Sequence, residues 1–506
     1  MPPQHQTNSS NNNNNNTASV AVCLNTPGKL EIPPVLLTAE YSTGYNTNHK
    51  MSFCWLLLIA LGLGMWFATQ PREQYAYTPD GKIVINRDFL QSRAQHSHFA
   101  NLMEHLLQYL PEADLTYSNL VETALWRCGS PGADSFSDYS LSGLRALTEA
   151  IVVDRPKVTR LGRVLARETY LAALCNQLAL SRWERDRPEV FTQTTIKAVV
   201  IAGPPRTGST HLLSMLCQHP NATCLTVAEV MDPIAPEFLS PNQFLGWLDY
   251  RLWKNKLAMG AIQQLRPLAP IMQRFGVLDP MEEMILSSSF FGSIVHFASL
   301  HLPSYDRWFR ETDHLEMELG VKRMLQIIQH QRGDQPKMWI LKSPQNADQI
   351  GPKSKVYPNA QFVFTHRKSF PVMQSWVGML AYTLGVHCDF TQVDYSEFAE
   401  DLIAHQQWSQ ERILPENVRK HFNTSSKLLN VYFDEFMRDP VSIALEVARH
   451  AGLDHSQAAR EVFERFQRNN PQRGSKVLKY DLASLGVTPE AIGKRFEKYE
   501  TAYGLL

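Results

Sequence analysis

The sequence predicts an α/β protein: a parallel sheet with helices on both faces, preceded by a helical region and a single N-terminal transmembrane helix. Three observations carry this. After residue 195, short β-rich runs alternate with longer helical stretches, the pattern of a parallel sheet covered by its crossover helices. Between 96 and 194, apolar residues recur at three- and four-residue spacing, which is helical. From Met51 to Pro71 the run MSFCWLLLIALGLGMWFATQP carries no charge, and about 20 helical residues cover the hydrocarbon core of a bilayer.

Composition narrows the function classes. The 506 residues are 44% hydrophobic and 19% charged, which excludes a wholly disordered or collagen-like chain. Lys plus Arg number 49, as do Asp plus Glu, so no nucleic-acid partner is expected. A local basic site for a small polyanion is still compatible with that balance. Seven cysteines without a CxxC pair make neither a disulfide framework nor a metal knuckle. One or two bridges in an oxidising compartment stay open.

Residues 1–50 include NSSNNNNNN, too polar to offset its ordering entropy, and read as a disordered tail. Residues 51–71 read as the membrane anchor, with Trp55 and Trp66 towards its two ends, where interface aromatics belong. Residues 72–95, with Pro79 and Gly81, read as a linker, and 96–194 as a helical region containing FANLMEHLLQYL and LGRVLARETYLAALCNQLAL. Residues 195–506 read as the α/β domain. Its strands are IKAVVIAG, MWILK, QFVFTH and LLNVYF. Ligands of such sheets bind beyond the carboxyl ends of the strands, so the chemistry should follow each of these runs.

The first strand runs into GPPRTGST, Gly203 to Thr210, and then a helix. Backbone N–H groups and the helix dipole favour an anion at such a junction. The spacing approaches the P-loop pattern GxxxxGK[ST], but Ser209 stands where the lysine would be. A cation, Arg206, lies inside the loop instead. A nucleotide with one 5′-phosphate and a different leaving group suits this loop better than a triphosphate. The fold is therefore read as a P-loop-type sheet.

GPPRTGSTHLLSMLCQHP resembles the 5′-phosphosulfate loop of sulfotransferases, which use 3′-phosphoadenosine 5′-phosphosulfate (PAPS). It is similar to the tyrosyl-protein sulfotransferases and to a related family of uncharacterised sulfotransferases. The resemblance spans roughly residues 110–506. It implies donor contacts from Pro205, Arg206, Thr207, Gly208, Ser209 and Thr210. It also implies that Arg367 and Ser375, eight residues apart after the strand QFVFTH, hold the 3′-phosphate. A guanidinium offers phosphate a planar fork, which is consistent. Lys342, ending MWILK, corresponds to a lysine near the bridging oxygen of the leaving group, where a cation stabilises developing charge. Arg473 and Gly474 in QRGSKVLKYDL resemble a late segment closing over the 3′-phosphate.

Sulfuryl transfer to a hydroxyl or amine needs a base within hydrogen-bond reach of the acceptor and no metal. Glu229, shortly after His219-Pro220, is the first candidate for that base, beside Lys342 and Arg206 as catalytic cations. His211, His296, His301 and the pair Glu282 and Glu283 are the alternatives. The expected activity is transfer from PAPS to an unidentified acceptor: carbohydrate, protein, lipid or small alcohol. A catalytically inactive binding protein of the same fold is the alternative, and a nucleotide kinase or NTPase a weaker one, since the P-loop lysine is absent. A homodimer is left open. The resemblance implies a Golgi or ER protein with a lumenal catalytic domain. The flanking charges, Lys50 before the anchor and Arg72, Lys82 and Arg87 after it, favour the opposite orientation.

Overall fold

The computed structural model describes residues 82–92, 98–129, 135–235, 249–272, 276–333, 337–422, 427–470 and 478–506. The tail and the apolar run 51–71 lie outside these. Among the described residues no helix is long and apolar enough to cross a membrane.

Five parallel strands form the central sheet, in the order β3–β4–β2–β5–β6. They are β2 (Lys197–Ala202), β3 (Ala222–Thr223), β4 (Met338–Lys342), β5 (Gln361–His366) and β6 (Leu428–Tyr432). The four expected strands all form, two of them with the bounds read from sequence. The apolar runs of β2, β4 and β5 are continuous because both sheet faces are covered there. In β2, Ala198, Val200 and Ala202 enter one buried cluster. Val199 and Ile201 enter another on the opposite face, as the two-residue period requires. Trp339 and Leu341 of β4 repeat the split against Ile340, and Phe362 and Phe364 of β5 against Val363.

Between residues 96 and 194 the chain forms, among others, the helices Tyr117–Cys128, Asp138–Asp154 and Arg160–Asp186. The buried side chains of this region do not form a separate core. They share one with the helices Ser369–Leu384, Tyr395–Arg412 and Pro489–Ala502. Cys128 is disulfide-bonded to Cys175, and Cys217 to Cys224.

The reading of 72–95 as a linker is corrected over its second half. Ile83–Ile85 is a strand, β1, paired in parallel with β7 (Leu478–Tyr480), and Arg87–Gln91 is a helix capped by Asn86. Ile83, Ile85 and Leu90 are buried in the shared core. Three strand residues are too few to show a period, so proline and glycine nearby dominated the pattern.

Candidate functional site

The site grows from the carboxyl ends of β2, β4, β5 and β6. After β2 the chain turns through Gly203 at φ +132°. A side chain here would collide with the backbone and hydroxyl of Thr365 on β5, so only glycine lets the two strands close on one another. Thr207 locks the loop: its hydroxyl lies 3.0 Å from the Pro204 carbonyl and 2.7 Å from Thr365 Oγ1. Gly208, at φ +80°, starts the helix Ser209–Leu216, and no side chain caps that start. Its first N–H groups therefore look to a ligand or solvent. Thr365 was not singled out from sequence. Its signal was available, since β5 is the strand after which Arg367 falls.

Arg206 takes the left-handed conformation at φ 62° and donates from Nε to Ser375 Oγ at 3.0 Å. Arg367 Nη1 donates to the Arg206 carbonyl at 2.7 Å, and its guanidinium lies 3.8 Å from the centre of the Phe433 ring. Arg206, Arg367 and Ser375, read from two distant motifs, are thus one cluster. Burial, then the neighbouring Arg206 charge, lowers the Arg367 pKa, while Asp434 pulls it up. No carboxylate of the described residues is within ion-pair distance of either arginine. Two adjacent half-buried cations beside an uncapped helix start could together attract a polyanion.

Lys342 ends β4, almost fully buried. Its Nζ donates to Thr210 Oγ1 at 3.1 Å and forms an ion pair with Glu282. The adjacent Glu283 goes elsewhere, 3.6 Å from Lys353, which also holds Glu318 at 2.8 Å. Burial alone would lower the Lys353 pKa, but the two glutamates outweigh it and raise it. The two acids of one dipeptide therefore have different work: Glu283 anchors the segment, and Glu282 meets the lysine that ends β4.

Glu229 does not join this group. It is fully buried in the helix Val227–Met231, in a reciprocal capping box with Thr226. Arg332 holds both its oxygens, at 2.8 and 2.6 Å. The Thr-x-x-Glu spacing, a capping signature, was readable in the sequence. His296 is a core histidine, bonded to the Ser288 carbonyl and pushed down to about 4 by burial. His301 pairs with Asp401 at 2.8 Å. His211 sits between Phe436 and Phe466, bonded to Gln467. Arg473 and Gly474 lie outside the described residues. Among the described residues, no three His, Cys, Asp or Glu side chains are placed to hold a metal ion.

A model described as the sulfotransferase family matches residues 198–457, just over half of the chain and all of the core strands. The chain belongs to the sulfotransferase family. Two solved structures share its fold. A sulfotransferase of Mycobacterium avium superposes with a TM-score of 0.67 at 22% identity, over 78% of this chain and 98% of that one. A sulfotransferase of Mycobacterium tuberculosis H37Rv gives 0.63 at 21%, over 76% and 99%. No curated protein matches the chain in sequence. Within this sulfotransferase fold, Arg206 lies in the loop after β2, and Arg367, Ser375, Lys342 and Glu282 gather around that loop.

Proposed function

We propose that this family member transfers a sulfuryl group from PAPS to a hydroxyl or amine acceptor. The observation that carries this is the joining of Arg206, Arg367 and Ser375 beside the uncapped helix start at Gly208. A nucleotide with phosphates at both 5′ and 3′ positions satisfies these groups where a 5′-phosphate alone leaves some unused. In the reaction the acceptor oxygen or nitrogen bonds to sulfur as the bond from sulfur to the bridging phosphate oxygen breaks. Lys342 offers its charge to that departing oxygen. Glu282 is the better candidate for the base than Glu229, because it lies at Lys342 while both Glu229 oxygens are committed to Arg332. Phosphate binding at Lys342 would compete with Glu282 for the ammonium, freeing the carboxylate to accept the acceptor's proton.

The apolar run 51–71 supports a single membrane anchor. The bridges Cys128–Cys175 and Cys217–Cys224 support an oxidising compartment, and with it a lumenal catalytic domain in the ER or Golgi. The test is calorimetry of the full-length chain with 3′-phosphoadenosine 5′-phosphate, ATP and 5′-AMP, for wild type and Arg367→Ala. Preference for the 3′-phosphorylated ligand, lost in the variant, is expected. Equal affinity for that ligand and 5′-AMP would refute the PAPS reading. Binding without turnover on any acceptor class would favour a binding protein instead.

A further inference from the structure

The helix Ser369–Leu384, which carries Ser375, begins without a cap from its own sequence. Lys368 stands at the N-cap and makes no side-chain cap bond, although the first N–H groups of a helix need acceptors from outside it. The acceptor for the first of them comes from 131 residues on: Glu500 Oε1 takes the Ser369 N–H at 2.6 Å. A carboxylate also suits the positive end of the helix dipole. Both residues are buried.

Tyr499, the neighbour of Glu500, takes hold of the chain three residues before Ser369. Its hydroxyl lies 3.0 Å from His366 Nδ1, and His366 Nε2 lies 2.9 Å from Asn430 Oδ1 on β6. Burial pushes the His366 pKa down to about 4, so the ring is neutral and carries one N–H. The Asn430 oxygen can only accept, which puts that proton on Nε2. Nδ1 therefore accepts from the Tyr499 hydroxyl. The Tyr503 ring stacks on the same imidazole, with centroids 3.8 Å apart.

His366 ends β5 and Ser369 begins the helix, so only Arg367 and Lys368 lie between the two grips. Consecutive side chains of the helix Pro489–Ala502 thus hold the chain on both sides of Arg367. We propose that Tyr499 and Glu500 are positioning residues of the 3′-phosphate site: they clamp the turn that carries Arg367 and so aim its guanidinium. This rests on the PAPS reading above and adds residues that touch His366 and Ser369 rather than the ligand.

The experiment is calorimetry of the full-length chain with 3′-phosphoadenosine 5′-phosphate and with 5′-AMP. The variants are Tyr499→Phe, Glu500→Ala and Glu500→Gln, the first two also in the Arg367→Ala background. Tyr499→Phe keeps the ring and removes only the hydroxyl. Tyr499→Phe and Glu500→Ala should each weaken the 3′-phosphorylated ligand roughly three- to tenfold, the range of one hydrogen bond, and leave 5′-AMP unchanged. Without Arg367 neither should have any further effect. Glu500→Gln keeps an acceptor for the Ser369 N–H and should restore most of the affinity lost in Glu500→Ala. If wild type fails to distinguish the two ligands, the PAPS reading and this inference fall together. If wild type distinguishes them and either Tyr499→Phe or Glu500→Ala binds as wild type, this inference alone falls. Equal loss for both ligands, or a loss that persists without Arg367, makes the pair packing residues and overturns the positioning role.

Discussion

Replacing Glu229 should damage the fold and spare the chemistry, whereas replacing Glu282 should do the reverse. Glu229 is fully buried, while the Arg332 side chain keeps 13% exposure. Breaking a buried pair from one side typically costs about 3–5 kcal/mol, because the remaining charge is left unpaired. The exposed edge of Arg332 can recruit water, which places Glu229→Ala near the lower end. Loss of the capping box with Thr226 adds about 1 kcal/mol. The sum, about 4 kcal/mol, is a large share of the roughly 5–15 kcal/mol that holds most proteins folded. Glu229→Gln keeps the shape and should cost less. Urea unfolding with sulfuryl-transfer assays at low temperature checks both variants. Folded Glu229→Gln should keep its kcat within about threefold, while Glu282→Gln should lose about 100-fold or more, the ordinary range for a general base. A Glu229→Gln enzyme with an unchanged unfolding midpoint and a hundredfold lower kcat would refute the reasoning.

Gly203→Ala should weaken any nucleotide at least tenfold in calorimetry, because the new methyl collides with Thr365 and the residue must hold φ +132°. His405 gives a pH signature. Burial would lower its pKa, but Asp306, by charge and hydrogen bond, and then Asp348 push it up to about 9 from 6.5. Its stabilisation, roughly 3 kcal/mol, is complete below the unfolded value and disappears as pH rises through about 9. The urea midpoint should therefore fall between pH 6.5 and 9, and His405→Gln should flatten that slope. Removing the Cys128–Cys175 bridge should cost more than removing Cys217–Cys224. They close 47 and 7 residues, worth about 4 and about 2 kcal/mol by chain entropy, and unfolding of the two Cys→Ser pairs measures the difference.

The strands β2, β4 and β5 were legible because burial on both faces writes itself as uninterrupted apolar runs, AVVIA, MWIL and FVF. β1, β3 and β7 were not, since two or three residues carry no period. The loop after β2 was legible because a strand, glycines and a helix start are local in sequence. The meeting of Arg206 with Ser375 needed two motifs to be read together. The structure gives Glu229 other work than the base expected of it. Glu229 follows the loop closely in sequence, but its carboxylate is consumed by local capping and by Arg332, over a hundred residues on. Glu282 reaches Lys342 only through the fold, 60 residues apart, and no local pattern announces such a pair.

The pairing of β1 with β7 has a consequence for biosynthesis. A ribosome delivers β1 early and β7 almost last, so the ribbon cannot form until synthesis is nearly finished. Until then the buried faces of Ile83 and Ile85 have no strand to pair with, and the nascent chain must be kept from aggregating. Chains truncated shortly before Leu478 would contain the whole loop after β2 and every central strand, yet lack β7 and the helix Pro489–Ala502. Such products should engage chaperones and be degraded, so that a late stop codon silences the enzyme as completely as an early one.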